Sequence, residues 1–395
     1  MIKKQYDIVV VGGGIAGLSA IKTIRRLNAD CSILLTTNED RLPYKRTKIN
    51  KHIAAGFTKN QFSLLDEEWY IKNRVDLAYS NAEQLNAKEK LISFDSGGQV
   101  SYKKLLLATG AVPFNPEIEG VNPNDLFHVH FAKNVEYLIS FASEKQAFLI
   151  VGGGVEGIET ADQLIKLGKQ VTIVERNENP IKRLFPDHIA DLFYKSVKDA
   201  GVDLIAQAEV KALVKGEDKK YRWDYNNRTY KYDGIIICAG TRPNIALAEK
   251  AGLNVGRGIK VNEFMQTSVP DIFAAGDVAE HKGGLITGLW HPAEYQGINA
   301  GENMLKLGKL YKPVPLRLKT EAFGNFYFSA NYSLIKGNKI KPVRQVKGKH
   351  LTEIYTENDK IIALIMMNDK ANSKIYHMAV AEQLSVEEFN QKLNE

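Results

Sequence analysis

Cysteine is nearly absent from this chain: two, Cys31 and Cys238, in 395 residues. Each lies inside an apolar, strand-like run, so both are expected to be buried and inert. No C-x-x-C or C-x4-C pair is present, nor any metal-ligand cluster, nucleophile–His–acid set or iron–sulphur cysteine motif. No metal site is therefore expected, and difficult chemistry must come from bound organic cofactors. Long apolar runs are missing too. The apolar runs, such as Leu105–Ala108, are strand-sized, far short of the ~20 residues that cross a bilayer, so no membrane association is expected. Met1-Ile2-Lys3-Lys4 runs directly into the strand-like Tyr6–Val11, which leaves no room for a signal peptide and implies a cytoplasmic protein. Acids are scarce in one region: Lys306–His350 holds eleven Lys or Arg against the single acid Glu321, within a chain of net charge +7. That stretch reads either as the solvated face of a small domain or as a docking surface for an acidic partner. Nucleic acid is not expected, because neither a recognition motif nor aromatic interleaving accompanies the charge.

What remains is ordinary for a globular protein, 44% hydrophobic and 25% charged, and long enough for two or three domains. The segment Tyr6–Val11 flows into Gly12-Gly13-Gly14-Ile15-Ala16-Gly17, then a helix-like run Leu18–Leu27 and a second strand Cys31–Leu35. This is G-x-G-x-x-G in its strand–turn–helix–strand setting. Gly12 permits the tight turn, Gly14 lets a pyrophosphate approach the backbone, and Gly17 lets helix and strand pack closely. The phosphates then sit on the positive end of the helix. The pattern repeats at Ala147–Val151 followed by Gly152-Gly153-Gly154-Val155-Glu156-Gly157, a helix through Leu167, and the strand Val171–Val174 ending in Glu175. Glu175 lies 18 residues past Gly157, close to the spacing at which a carboxylate binds a ribose 2′-hydroxyl and repels the 2′-phosphate of NADPH. The second site thus reads as an NADH site, with Arg176 beside Glu175 as the feature that would favour NADPH. At the first site Thr36 or Thr37 stands where the acid is expected, and Glu39, or alternatively Asp40, is left to bind the adenosine ribose.

Two such fingerprints about 140 residues apart resemble the FAD-dependent pyridine nucleotide-disulphide oxidoreductase superfamily. Three further segments carry the resemblance. Leu105–Gly110 matches the family's A-T-G segment at Ala108, Thr109 and Gly110. Ile237–Asn244 matches its counterpart at the exit of the second nucleotide domain, through Ala239 and Gly240. Ile272–Asp277 matches the motif whose Gly276-Asp277 holds the ribityl chain of FAD. The fold implied is α/β: two Rossmann-like, three-layer FAD/NAD(P)-binding domains plus a small α+β C-terminal domain. The FAD domain would comprise 1–114 and 244–313, the NADH domain 115–243, and the C-terminal domain 314–395. Within the last, strands Leu351–Thr356 and Lys360–Met367 flank an Asn358-Asp359 turn. A helix about Ser385–Leu393 opens on a Ser385-x-x-Glu388 capping box.

The missing cysteines select a branch. Members that reduce disulphides, peroxide, oxygen to water or coenzyme A disulphide carry reactive cysteines, and Leu42–Lys48 has none. Leu42–Lys51, with Arg46 and Lys51, instead resembles the L-P-Y-x-R-P-x-L-S-K segment of single-flavin electron-transfer reductases. Thr47 and Asn50 depart from it. Segments 288–304 and 318–330 most resemble NADH:rubredoxin reductases and the NADH-binding portion of assimilatory nitrite reductases. The resemblance implies that Lys51 lies beside the flavin with Glu159 as its partner, a cation there favouring the anionic reduced flavin. It places Trp290 or His291 beside the isoalloxazine ring. It further implies bound FAD, reduced by NADH at the Gly152–Gly157 loop and discharged to a small acidic redox protein such as rubredoxin. The alternatives are an NADH oxidase, a subunit feeding a nitrite reductase, or a redox-sensing interaction protein resembling apoptosis-inducing factor. Monomer and homodimer both remain open.

Overall fold

The computed structural model describes residues 3–338 and 340–394. Met1 and Ile2 of the amino-terminal reading, Lys339 of the basic stretch and Glu395 of the C-terminal domain lie outside them. Internal contacts divide the chain into two compact units. One comprises Met1–Thr47, Thr58–Val112 and Thr241–Val314; the other comprises Lys48–Phe57, Pro113–Gly240 and Pro315–Glu395.

The first unit is built on the strand Gln5–Val11, whose apolar run suits a strand covered on both faces. It pairs in parallel with Ile33–Thr37 on one side and Gln99–Leu107 on the other, and Val75–Tyr79 extends the sheet beyond Ile33–Thr37. The nine-residue strand Gln99–Leu107 is long enough to share its far edge. Its first half takes the antiparallel strand Leu91–Phe94, and its second half takes the returning strand Ile272–Ala274. Helices Ile15–Leu27 and Trp290–Met304 pack against each other at very close range. A Cβ at Gly297 would lie 2.1 Å from the Ala16 carbonyl oxygen, and one at Gly301 would lie 2.8 Å from that of Ala20.

Two local expectations are corrected. The first helix begins at Ile15 rather than Leu18, because it starts directly from the glycine loop, where no apolar periodicity marks it. The second strand begins at Ile33 rather than Cys31. The Asn28 side chain accepts from the amides of Asp30 and Cys31 and holds them in a turn. Cys31 is accordingly only partly buried, whereas Cys238 is buried as expected.

The second unit repeats the parallel design: the strand Ala147–Val151 lies between Gln170–Glu175 and Gly234–Ile237, with Asp203–Ala206 and Leu126–Phe127 outermost. Its C-terminal part is an antiparallel five-stranded sheet in the order Arg317–Ala322, Asn325–Ala330, Lys360–Met367, His350–Glu357, Val343–Lys347. The central hairpin turns through Asn358 and Asp359, both left-handed at φ 50° and 59°, the geometry that matches strand twist in a two-residue turn. Helices Ser373–Ala381 and Val386–Asn394 cover one face through Phe326, Phe328, Met366, Tyr376 and Phe389. The capping box is formed reciprocally: the Ser385 amide donates to Glu388 Oε2 at 2.7 Å and the Glu388 amide to Ser385 Oγ at 3.2 Å. Among the described residues no helix is long and apolar enough to cross a membrane.

Candidate functional site

In the first unit, strand Gln5–Val11 ends at Gly12, whose φ of +117° excludes an L side chain. A Cβ there would also stand 2.1 Å from the Ala108 carbonyl oxygen. One at Gly17 would stand 2.2 Å from the Gly12 oxygen. The protein's own packing therefore requires glycine at 12 and 17. At Gly14 a Cβ would meet nothing within 4 Å, so there the small residue keeps a space clear over the loop. The helix it opens has no side-chain cap, and its first-turn amides have no intrahelical acceptor. A cradle clear of side chains at the positive end of a helix fits a pyrophosphate.

The other predicted residues of this unit gather near by. Gly13 backs onto Thr37, whose Oγ1 would be 3.2 Å from a Cβ at that position. Glu39 is held at both oxygens, accepting from Arg46 Nη2 at 2.7 Å and from the Tyr44 hydroxyl at 2.7 Å. Asp40 faces outward toward Lys59 and Arg41. The Gly276 amide donates to Gln296 Oε1 at 2.7 Å. Asp277 follows it, and burial raises its carboxyl while the Arg46 charge opposes the rise. No protein donor reaches that carboxylate among the described residues. A desolvated acceptor beside a phosphate cradle suits a polyol hydroxyl, so the residues present fit FAD. The Thr109 hydroxyl is spent on the Asn244 carbonyl at 2.8 Å, and Gly110 accepts from the Asn244 amide. Trp290 opens the helix Trp290–Met304 half-buried, while His291 is buried behind it.

The second unit repeats the construction. A Cβ at Gly152 would lie 2.3 Å from the Cys238 oxygen, just before Ala239 and Gly240, and one at Gly157 would lie 2.0 Å from the Gly152 oxygen. Gly154 again meets nothing within 4 Å, and the helix Val155–Lys166 is uncapped. Glu175 is buried against the loop. Its Oε2 accepts from the Gly153 amide at 2.8 Å and its Oε1 from the amide and side chain of Asn177, each at 2.7 Å. Burial first, then the charge of Glu159, pushes the Glu156 carboxyl up to about 7. Burial also drives the Cys238 thiol well above its usual range, helped by Glu156, so this cysteine is an unreactive thiol.

Lys51 and Glu159 meet within this unit, Nζ to Oε1 at 2.8 Å, with side chains 28% and 6% exposed. Two further donors complete the carboxylate: Asn50 Nδ2 at 2.9 Å and the Thr320 hydroxyl at 2.7 Å. No local pattern announces either role. Asn50 stood out only as a departure from a family segment, and Thr320 comes from a strand 161 positions away.

A family model described as pyridine nucleotide-disulphide oxidoreductase matches residues 6–297. The chain is 34% identical over 287 residues to the nitric oxide reductase FlRd-NAD(+) reductase of Aliivibrio fischeri, covering 71% of this chain and 74% of that protein. It is 28% identical over 297 residues to the assimilatory nitrate reductase electron transfer subunit of Bacillus subtilis. That match takes in 74% of this chain but spans only 38% of the relative's length. Among solved structures, NADH:rubredoxin oxidoreductase from Clostridium acetobutylicum aligns with a TM-score of 0.77 at 25% identity, covering 99% of this chain and 100% of that one.

Proposed function

This chain belongs to the pyridine nucleotide-disulphide oxidoreductase family, and on that footing we propose that it passes electrons from NADH through FAD to a small acidic redox protein of the rubredoxin kind. It is an NAD(P)H-dependent FAD oxidoreductase; the preference for NADH, the acceptor and the individual residue roles are the proposal. The observation that carries it is the pair of uncapped, glycine-lined helix N-termini, one in each unit, in a chain whose units hold one cysteine each. No dithiol within a unit relays electrons, which favours their leaving without a protein disulphide. Bound FAD supplies the conversion from a two-electron hydride donor to one-electron acceptors.

We assign 1–114 and 244–313 to FAD, 115–243 to NADH, and 314–395 to a C-terminal domain. In this assignment the loop amides of Ile15–Gly17 and Val155–Gly157 hold the pyrophosphates, and Asp277 accepts a ribityl hydroxyl. Glu39, oriented by Arg46 and Tyr44, receives the adenosine ribose of FAD. Glu175, oriented by Gly153 and Asn177, receives the ribose of NADH and disfavours a 2′-phosphate. Lys51, paired with Glu159, supplies a cation to the flavin ring, and Trp290 lies along that ring. The acidic partner is drawn to exposed lysines that make no ion pair among the described residues, Lys341, Lys347 and Lys349.

Rapid mixing of the purified flavin-loaded protein with NADH or NADPH, without oxygen, tests this. Flavin absorbance is expected to bleach faster with NADH, and rubredoxin to reoxidise the protein far faster than oxygen does. Reoxidation by oxygen alone would make it an oxidase, and failure of both nucleotides to bleach the flavin would overturn the reading.

A further inference from the structure

Glu156 stands in the first turn of the helix Val155–Lys166, one position before the glycine that seats this helix on its loop. The amides of that turn are those a dinucleotide phosphate engages, so an acid here shares its place with the ligand's charge. Its carboxyl accepts no hydrogen bond among the described residues. The buried carboxylates around this half-buried one are taken up: Glu159 by Lys51, Asn50 and Thr320; Glu175 by Gly153 and Asn177; Asp162 by Lys166, Gln163 and the Phe323 amide. Glu156 instead lies within electrostatic reach of Glu159, one turn on, and of the Cys238 thiol at the end of strand Gly234–Ile237. The carboxyl ends of the strands in a doubly wound sheet are where ligands lie. The first turn of this helix therefore sets Glu156 beside the loop on which the phosphates would lie.

We propose that Glu156 makes pyridine-nucleotide binding pH-dependent, its neutral carboxyl accompanying the bound dinucleotide and its ionised form repelling it. The proposal rests on the reading of Gly152–Gly157 as the nucleotide loop. The direction follows from charge. Desolvation, with the charge of Glu159, already raises the carboxyl to about 7, and a bound pyrophosphate raises it further. Binding then takes up a proton around and above neutrality, and affinity falls as pH rises past 7. Well below that, the group is neutral in both states and affinity is level. The neighbours do not cancel this. On the same helix Glu159 adds to the repulsion, although Lys51 from the segment Asn50–His52 compensates it. The Cys238 thiol is uncharged across the range, Glu175 is turned to the loop amide, and on Arg317–Ala322 the Thr320 hydroxyl is engaged with Glu159.

Calorimetric titration of the flavin-loaded protein with tetrahydro-NAD, a reduced analogue whose ring cannot release hydride, tests the idea without turnover. Titrations between about pH 6 and pH 9, in buffers of differing ionisation enthalpy, read affinity and proton uptake together. The expectation is a loss of affinity above pH 7 that approaches, and does not exceed, about tenfold per pH unit, with proton uptake on binding. Glu156→Gln keeps the shape, removes the charge, levels the profile and abolishes the uptake. A level profile in the unaltered protein, or a slope that survives in Glu156→Gln, overturns the proposal. Should that variant not fold, the unaltered protein's profile and proton uptake decide alone. Failure of the analogue to bind at any pH in protein that still holds FAD overturns the nucleotide-loop reading itself, and this proposal with it.

Discussion

Individual carboxylates in this protein differ chiefly in what holds them. Glu159 has a cation and two hydrogen-bond donors around a side chain only 6% exposed. Removing the cation leaves a desolvated charge with dipolar partners alone. Lys51→Met is therefore expected to cost about 1–3 kcal/mol of unfolding free energy, less than a fully buried pair because the lysine itself reaches solvent. Urea unfolding of the two proteins measures it. A loss under about 0.5 kcal/mol would place the pair with ordinary surface ion pairs. Lys51 and Glu159 were legible through the segments they occupy. Asn50 and Thr320 were not, since a hydrogen bond across 161 positions leaves no trace in local spacing.

Secondary-structure elements were legible where their signals are short-range. The two strand–loop–helix units, the Asn358-Asp359 turn and the Ser385–Glu388 capping box each depend on a few consecutive residues, and each forms. The boundary errors at Ile15 and Ile33 arise where glycine or a side-chain turn, not apolar periodicity, sets the end of the element. The glycines of the first loop separate packing from ligand binding. Gly17→Ala forces a Cβ against the Gly12 oxygen at 2.2 Å, so it should destabilise the fold itself. Gly14→Ala meets no protein atom within 4 Å; it should keep the thermal stability of the flavin-free protein while lowering flavin content. Melting curves and flavin absorbance per protein check both, and equal melting losses in the two variants would refute the distinction.

Taken as a whole, the chain crosses between its two units five times, at residues 48, 58, 113, 241 and 315. Lys48–Phe57 thus sits among the contacts of the second unit although it follows the first glycine loop in sequence. The basic stretch also changed meaning on folding. Arg344 pairs with the buried Glu353, and Lys336 donates to the Lys182 carbonyl, so part of that charge stabilises the second unit internally. Lys341, Lys347 and Lys349 are exposed and make no ion pair among the described residues, and the proposed partner would be steered to them. Replacing all three by Glu should slow turnover with an acidic protein acceptor about tenfold at low salt and leave dye reduction alone. Raising ionic strength well past 0.1 M, where the screening length is about 10 Å, should do the same to the unaltered protein. Salt-insensitive turnover with the protein acceptor would remove this surface from consideration.

The sequence by itself determined the two dinucleotide units, the exclusion of a dithiol relay and the family, because each rests on residue spacing within a dozen positions or on a count of cysteines. Tertiary structure alone decided which carboxylates are compensated and which, Asp277 and Glu156, accept no hydrogen bond from a protein donor among the described residues. Desolvation and hydrogen bonding depend on which distant residues pack against a side chain, and no spacing along the chain records that.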